Sequence, residues 1–383
     1  MSDTQRLTAQ RSRPIRVLFV AGADFYSGAE RALLLTARSL ADAGHHPFVA
    51  VGTRGEFLNQ LGEHGIPCAH APLYFTGIST VHRWAIALAR LARLARRHRA
   101  EVIHANEAPS FQIAGYAARL LRLPAITHVR FPEGAAGYAW YLKSGFRKAL
   151  FVSHALRRDV QAAAPGIFDG RADVLHDGVV LPRLPGERER ASGRAALGIP
   201  DDRPAIVQAG QVVEIKGIWD FIDAAKILIE QGVRATFVVL GDDLKDHGRT
   251  RRDAEARVKA VGIDPHFRFL GFRADAPALI PLFDVVAVPS HIEPLGNATL
   301  EAMAAGRPVI GTRVGGIPEM VMHDETGVLV PPKAPAELAA ALERLIADPA
   351  LRARFGAAGR ERARSAFSLE AHAARLEQIY SGL

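Results

Sequence analysis

Residues 285–311 read VVAVPSHIEPLGNATLEAMAAGRPVIG. Val285–Val288 is a short, unbroken apolar run, the pattern of a strand buried on both faces of a parallel sheet. A loop runs to Gly296, and the following residues predict a helix near 297–305. A second apolar run, Val309–Gly311, predicts the next strand. Strand, helix and strand in this order form a βαβ unit, which implies parallel pairing.

The same alternation extends to both ends of the chain. The opening strand is Ile15–Ala21, followed by a glycine-bearing loop from Gly22 to Gly28 and a helix from Ala29 to about Ala43, ended by Gly44. Further strands are predicted at Pro47–Val51, Glu101–Ala105, Ala125–Val129, Ala149–Ser153 and Ala172–Leu175, with helices near 55–64, 80–98, 109–121 and 154–163. Leu181–Arg190, LPRLPGERER, holds prolines, a glycine and a charge run and reads as a linker. A second series follows, with strands Ala205–Ala209, Ala235–Leu240, Arg268–Leu270, Val285–Val288 and Val309–Gly311. Its helices lie near 216–230, 248–260, 297–305, 335–347 and 349–364, and a last helix covers roughly 369–380. The expected divisions are a disordered tail at 1–14, an α/β Rossmann-like domain at 15–180, a linker at 181–192, a second Rossmann-like domain at 193–366, and a C-terminal helix at 367–383 crossing back to the first domain. Two doubly wound sheets in series place ligands at the carboxyl ends of strands, facing a cleft between domains.

The 383 residues suit two domains, and 49% hydrophobic content supplies two cores. The single cysteine excludes an intramolecular disulfide and a multi-cysteine zinc site. No secretory apolar segment precedes the first strand and no apolar run reaches 18 residues, so a soluble or peripheral cytoplasmic protein is expected. The net charge of +8 is uneven: residues 1–165 carry +11 and the remainder −3. Such asymmetry points the first half toward an anionic partner, such as a membrane surface or a phosphorylated substrate. Nucleic acid ranks last, because an aromatic stacking platform is missing.

Five constellations bear on chemistry. In Glu293–Glu301 two carboxylates flank a loop and helix start whose free amides, at Gly296, Asn297, Ala298 and Thr299, suit a phosphate. The carboxylates can accept hydrogen bonds from hydroxyls of a ribose and a sugar; the bland alternative is two surface glutamates on a helix cap. Gly210–Gly217 places Lys216 in a βα loop, where it can neutralise a diphosphate or simply lie in solvent. The loop Gly22–Glu30, with Asp24 and Gly28, has glycines six apart, which argues against a dinucleotide loop. His104 and Asn106 follow one strand and His128 and Arg130 lie at the end of the next, as cleft residues or as satisfied rim residues. The helix from Arg83 to Arg99 carries Arg90, Arg93 and Arg97 beside an apolar stripe of Trp84, Leu88, Leu91 and Ala95, suited to anionic lipid or to ordinary packing on a sheet.

Together these segments resemble the family-4 retaining glycosyltransferases of the GT-B fold. Glu293 and Glu301 match the family's E-x7-E motif; Pro289-Ser290, Leu300–Ile310, Gly315–Glu319 and Gly327–Val330 resemble its flanks. Gly210–Gly217 resembles its G-R-x4-K-G loop, Ser27–Glu30 its N-terminal glycine loop, and Asp177-Gly178-Val179 its interdomain N-G-V. The resemblance implies a sugar transferred with retention from a nucleotide-diphosphate sugar, UDP- rather than GDP-linked, without a metal. The acceptor would be a saccharide or lipid-linked saccharide in cell-envelope polysaccharide or lipopolysaccharide synthesis. It implies catalytic roles for Glu293, Lys216 and His128. Donor contacts would come from Gly28, Gln211, Phe272, Arg273, Leu295, Gly296, Asn297, Ala298, Thr299 and Glu301, and acceptor-side contacts from Asp24, His104, Asn106 and Arg130. A nucleotide-sugar epimerase and a catalytically idle GT-B scaffold are the alternatives. Gln211 departs from the family arginine: either Lys216 and the amides suffice, Arg130 or another arginine substitutes, or activity is altered. Asp177 for asparagine is a milder change.

Overall fold

A computed structural model describes residues 13–22, 26–75, 77, 79–243 and 246–383. Most of the expected tail at 1–14 therefore lies outside the described residues. The chain divides into two compact units, one of residues 1–178 and 369–383, the other Val179–Ser368.

Among the described residues the first unit holds seven strands: β1 Arg16–Ala21, β2 His46–Val51, β3 Cys68–His70, β4 Val102–Ala105, β5 Ala125–Val129, β6 Lys148–Phe151 and β7 Ala172–Val174. Their order in the sheet is β3-β2-β1-β4-β5-β6-β7, parallel throughout. The second unit holds β8 Ala205–Ala209, β9 Thr236–Leu240, β10 Phe267–Gly271, β11 Val285–Val288, β12 Val309–Thr312 and β13 Gly327–Val330, in the order β10-β9-β8-β11-β12-β13, again parallel. In each sheet the order reverses once, between β1 and β4 and between β8 and β11. In doubly wound sheets such a reversal, at the carboxyl ends of the strands, is where ligands bind.

The apolar runs have the reason expected of them. Leu18, Val20, Ile206, Val207, Val285 and Val286 are fully buried, because helices cover both faces of each sheet. Each unit has its own core, one built around Phe19, Leu33, Val49 and Leu61, the other around Ile206, Phe221, Phe237 and Phe355. The C-terminal helix, Leu369–Ser381, packs Leu376, Ile379 and Tyr380 into the first of these.

Two strands do not appear in the sequence reading, β3 and β13. Both are edge strands of only three and four residues, too short for a periodic signal. The segment expected as linker to residue 192 is helical from Glu187 to Ala196. Glu187 and Glu189 favour the positive end of that helix. Arg190 and Arg194 are not solvated linker charges: both pair with Asp284, and Arg194 is buried and also donates to the Leu282 carbonyl at 2.7 Å.

Candidate active site

In the second unit the loops leaving β8 and β11 flank the switch point, and they are tied together. The first ends in a short turn, Glu214–Lys216, closed by Gly217 in the left-handed region at φ +73°. A Cβ at Gly217 would stand 2.0 Å from the Pro289 carbonyl oxygen, so only glycine lets the two loops touch. The His291 amide donates to the Ile215 carbonyl at 2.8 Å, and the His291 ring meets Asp220 at 2.8 Å. On this frame Lys216 Nζ donates to Glu293 Oε2 at 2.6 Å, and Ser290 Oγ donates to the same oxygen at 3.1 Å. Ser290 is in turn held by Thr312, whose hydroxyl donates to its carbonyl at 2.6 Å. Gln208, buried on β8, donates to the Lys216 carbonyl at 2.8 Å. Gln208 and His291 were not singled out in the sequence, and Ser290 appeared only within the Pro289-Ser290 flank of the motif. Single polar residues beside an apolar run carry no pattern until the fold brings the two loops together.

Helix Asn297–Ala304 starts after Gly296, which has φ +108°. The Thr299 amide already donates to the Gly296 carbonyl at 2.9 Å, and the buried atoms Asn297 Oδ1 and Thr299 Oγ1 have no partner among the described residues. Glu301 lies one turn further, half-buried. Leu295 is buried, as is the Thr299 side chain, so neither presents its side chain to a ligand at the surface. Phe272 and Arg273 follow β10 at the carboxyl edge of the same sheet. Phe272 is exposed, and Arg273 forms a two-fold ion pair with Asp275 at 2.7 Å.

In the first unit Asp24 lies outside the described residues. Gly28 opens helix Gly28–Asp42, behind a cap in which the Ser27 amide donates to Glu30 at 3.0 Å. Glu107, after β4, accepts from the Gly22 amide at 2.8 Å and so joins the two loops at this sheet's switch point. Burial pushes its carboxyl up to about 7, against the pull of hydrogen bonds from Gly22 and Ser110. No motif in the sequence marks Glu107. Its only signal was an acid directly after a predicted strand.

His104 was expected to follow its strand and lies inside β4 instead, wholly buried. Its Nδ1 meets the Tyr380 hydroxyl at 2.7 Å and its Nε2 meets His128 Nδ1 at 3.1 Å. Burial, then the nearby Arg130 charge, lowers His104 to about 3 and pulls His128 well below the usual histidine range. Arg130 is also buried. Its Nη1 reaches both Asp177 oxygens, at 2.9 and 3.0 Å, and its Nε donates to Asn106 Oδ1 at 3.1 Å. Asp177 thus supplies the charge that a buried guanidinium needs.

The glycosyl transferases group 1 profile matches residues 189–362 and the glycosyltransferase family 4 profile residues 26–183. The chain belongs to this family of glycosyltransferases. It is similar to alpha-D-kanosaminyltransferase of Streptomyces kanamyceticus, 34% identical over 51% of this chain and 49% of that one. It is also similar to glycogen synthase of Mycobacterium tuberculosis (strain ATCC 25618 / H37Rv), 27% identical over 82% of this chain and 79% of that one. The chain spans about half the length of the first curated relatives it matches. The crystal structure of Anabaena HepE in complex with UDP-glucose shares the fold, with a TM-score of 0.84 at 23% identity over 96% of this chain and 100% of that one.

Proposed function

We propose that the protein transfers a sugar, with retention, from a nucleotide-diphosphate sugar to a hydroxyl of a saccharide or lipid-linked saccharide. The observation that carries this reading is the Lys216–Glu293 pair, held by two mutually packed loops at the switch point of the second sheet. Lys216 spends one of its three N–H donors on Glu293, leaving two for a diphosphate. With the amides of residues 296–298 it would stabilise the leaving phosphate without a metal. Glu301 would hold the ribose and Glu293 the hydroxyls of the transferred sugar. Gln211 would lie against the diphosphate and Phe272 and Arg273 against the base, while Asn106 and Glu107 would serve the acceptor side. The leaving phosphate would assist deprotonation of the acceptor on the same face. A uridine donor is favoured by the UDP-glucose bound to HepE. The transferase names among the relatives support transfer over epimerisation or an idle scaffold.

A thermal-shift panel of nucleoside diphosphates and nucleotide sugars tests the reading. A ligand at about 100 times its dissociation constant should stabilise the protein by roughly 2.7 kcal/mol. Glu293→Gln should keep UDP binding and lose about a hundredfold or more in turnover, as removal of a transition-state contact does. A wild-type protein that binds none of these ligands and transfers no sugar would sink the reading.

For the acceptor we propose a membrane-borne molecule, reached through the basic first unit. Helix Val81–Arg97 buries Ala87, Leu91, Ala92 and Ala95 and exposes Arg83, Arg90, Arg93, Arg96 and Arg97. Its apolar stripe is therefore used in packing, and attraction to lipid would be electrostatic.

A further inference from the structure

Where β4, β5 and β6 begin, at the end of the first sheet opposite the loops of Gly22 and Glu107, the surface holds a basic hollow. It is made of two pockets of about 490 and 260 Å³ that share Leu123. Arg96, Arg99 and Arg122 line the larger, Arg119, Arg147 and Ser144 the smaller, and neither lining contains a carboxylate. The five arginines are exposed, and their side chains have no hydrogen bond or ion pair among the described residues. So many like charges without a counter-charge repel one another, and an anion bound among them would relieve that. Ser144 adds a neutral group: its Oγ is buried and without a partner among the described residues. Gly115 leaves it room, since a Cβ there would stand 2.0 Å from that oxygen. A buried hydroxyl with nothing to bond to is costly unless something fills the place.

Backbone strain singles out two of the same arginines. After six helices the left-handed residue of the closing turn is glycine: Gly44, Gly65, Gly198, Gly232, Gly262 and Gly306. After helices Val81–Arg97 and Ala108–Leu121 it is Arg99, at φ +51°, and Arg122, at φ +57°. The turn itself is the same. The Ala100 amide donates to the Ala95 carbonyl at 2.8 Å and the Leu123 amide to the Ala118 carbonyl at 2.9 Å, as the His45 amide does to the Leu40 carbonyl at 2.9 Å. A side chain at the left-handed position strains the backbone, and glycine does not. The pull of helix carbonyl ends on cations explains arginines in a last turn, such as Arg96 and Arg119. It does not require one at the single position where φ is positive. The chain accepts that strain twice, and both times the side chain lines the same pocket.

We propose that this hollow binds a phosphate group. Arg99 and Arg122 grip its oxygens, with Arg96, Arg119 and Arg147 around them and Ser144 as a neutral donor. The guanidinium fork matches two phosphate oxygens at once. A phosphate monoester carries about two negative charges, which suits a site of five cations better than a single carboxylate does. The site lies at the opposite end of the strands from the candidate substrate loops and needs nothing from the transferase reading. A soluble phosphate ester and a lipid headgroup present the same chemistry, and two probes tell them apart.

The full chain is titrated with inorganic phosphate by calorimetry at low salt, and is sedimented with phosphatidylcholine vesicles containing phosphatidate. Wild type is expected to bind at least one of the two. Binding of phosphate alone assigns a soluble ester, and binding of the vesicles assigns a lipid headgroup. Arg99→Gly combined with Arg122→Gly should weaken that binding at least about tenfold, the loss of roughly one charge-assisted hydrogen bond. The Tm of this variant should equal or exceed the wild-type value, because glycine takes both turns without strain. A lower Tm would remove the strain argument, and Ser144→Ala, which touches no helix end, then decides. Ser144→Ala should weaken the same binding about fivefold, roughly one neutral hydrogen bond. Arg157→Gln combined with Arg158→Gln removes the same charge from helix His154–Ala163 of this unit and should leave the affinity at the wild-type value. A wild type that binds neither probe overturns the proposal. So does wild-type affinity in the glycine variant or in Ser144→Ala, which would place the phosphate elsewhere, such as at Lys216. Equal weakening by the two pairs of arginine changes also overturns it, since only overall charge would then matter.

Discussion

Position 211 puts a neutral amide in the loop that ends with Lys216, where the family pattern has arginine. A glutamine can hydrogen-bond a phosphate oxygen but adds no charge, so the diphosphate would face one lysine and the helix amides. Gln211→Arg is expected to tighten UDP binding by on the order of 1 kcal/mol, about fivefold, with a steeper salt dependence. Titration calorimetry at two salt concentrations checks this, and unchanged affinity would place residue 211 away from the diphosphate. Not every departure from the family pattern has the same meaning. Asp177 looked like a minor swap for asparagine, yet it neutralises Arg130 in a buried pair. The difference is invisible in sequence because the partners are 47 residues apart. Glu293 and Lys216 were legible as candidates from their loops. That one hydrogen-bonds the other, 77 residues away, was not.

Among the elements, glycines decide how closely the loops approach. Gly315 follows β12 at φ +51°, and a Cβ there would stand 1.6 Å from the Glu293 carbonyl oxygen. Gly315→Ala should therefore push the Glu293 loop aside, at a cost of about 2 kcal/mol or more from strain and clash together. The melting temperature should drop, and UDP should no longer raise it. Wild-type values for both would show that the loop tolerates displacement. The long buried strands and most helices were legible because their apolar periods are strong. The edge strands β3 and β13 and helix Glu187–Ala196 were missed, since short edges lack a period and a charge-rich segment looks solvated until its arginines meet Asp284.

For the whole molecule, the charge imbalance is the property that no single residue displays. The exposed arginines of helix Val81–Arg97 sit on the unit that includes the surplus of +11 over residues 1–165. If the first unit rests on anionic lipid, Arg90, Arg93 and Arg97 should each contribute about 1 kcal/mol near the surface. Their combined replacement by glutamine should lower sedimentation with phosphatidylserine vesicles by roughly a hundredfold in partition coefficient. Equal sedimentation of variant and wild type would sink the membrane reading. The C-terminal helix belongs to the same scale. It is last in sequence, yet it completes the core of the first unit and carries Tyr380 to His104.

The sequence by itself determined two parallel α/β units, the loops that end in Lys216 and Glu293, and the family, because periodicity and local motifs are short-range properties of a chain. Only the tertiary structure decided that Lys216 meets Glu293, that Asp177 answers Arg130, that Glu107 joins two loops, and that Tyr380 reaches His128 through His104. Those are contacts between residues distant in sequence. They depend on sheet order and burial, and burial is also what makes an uncompensated charge or a missing proton costly enough to matter.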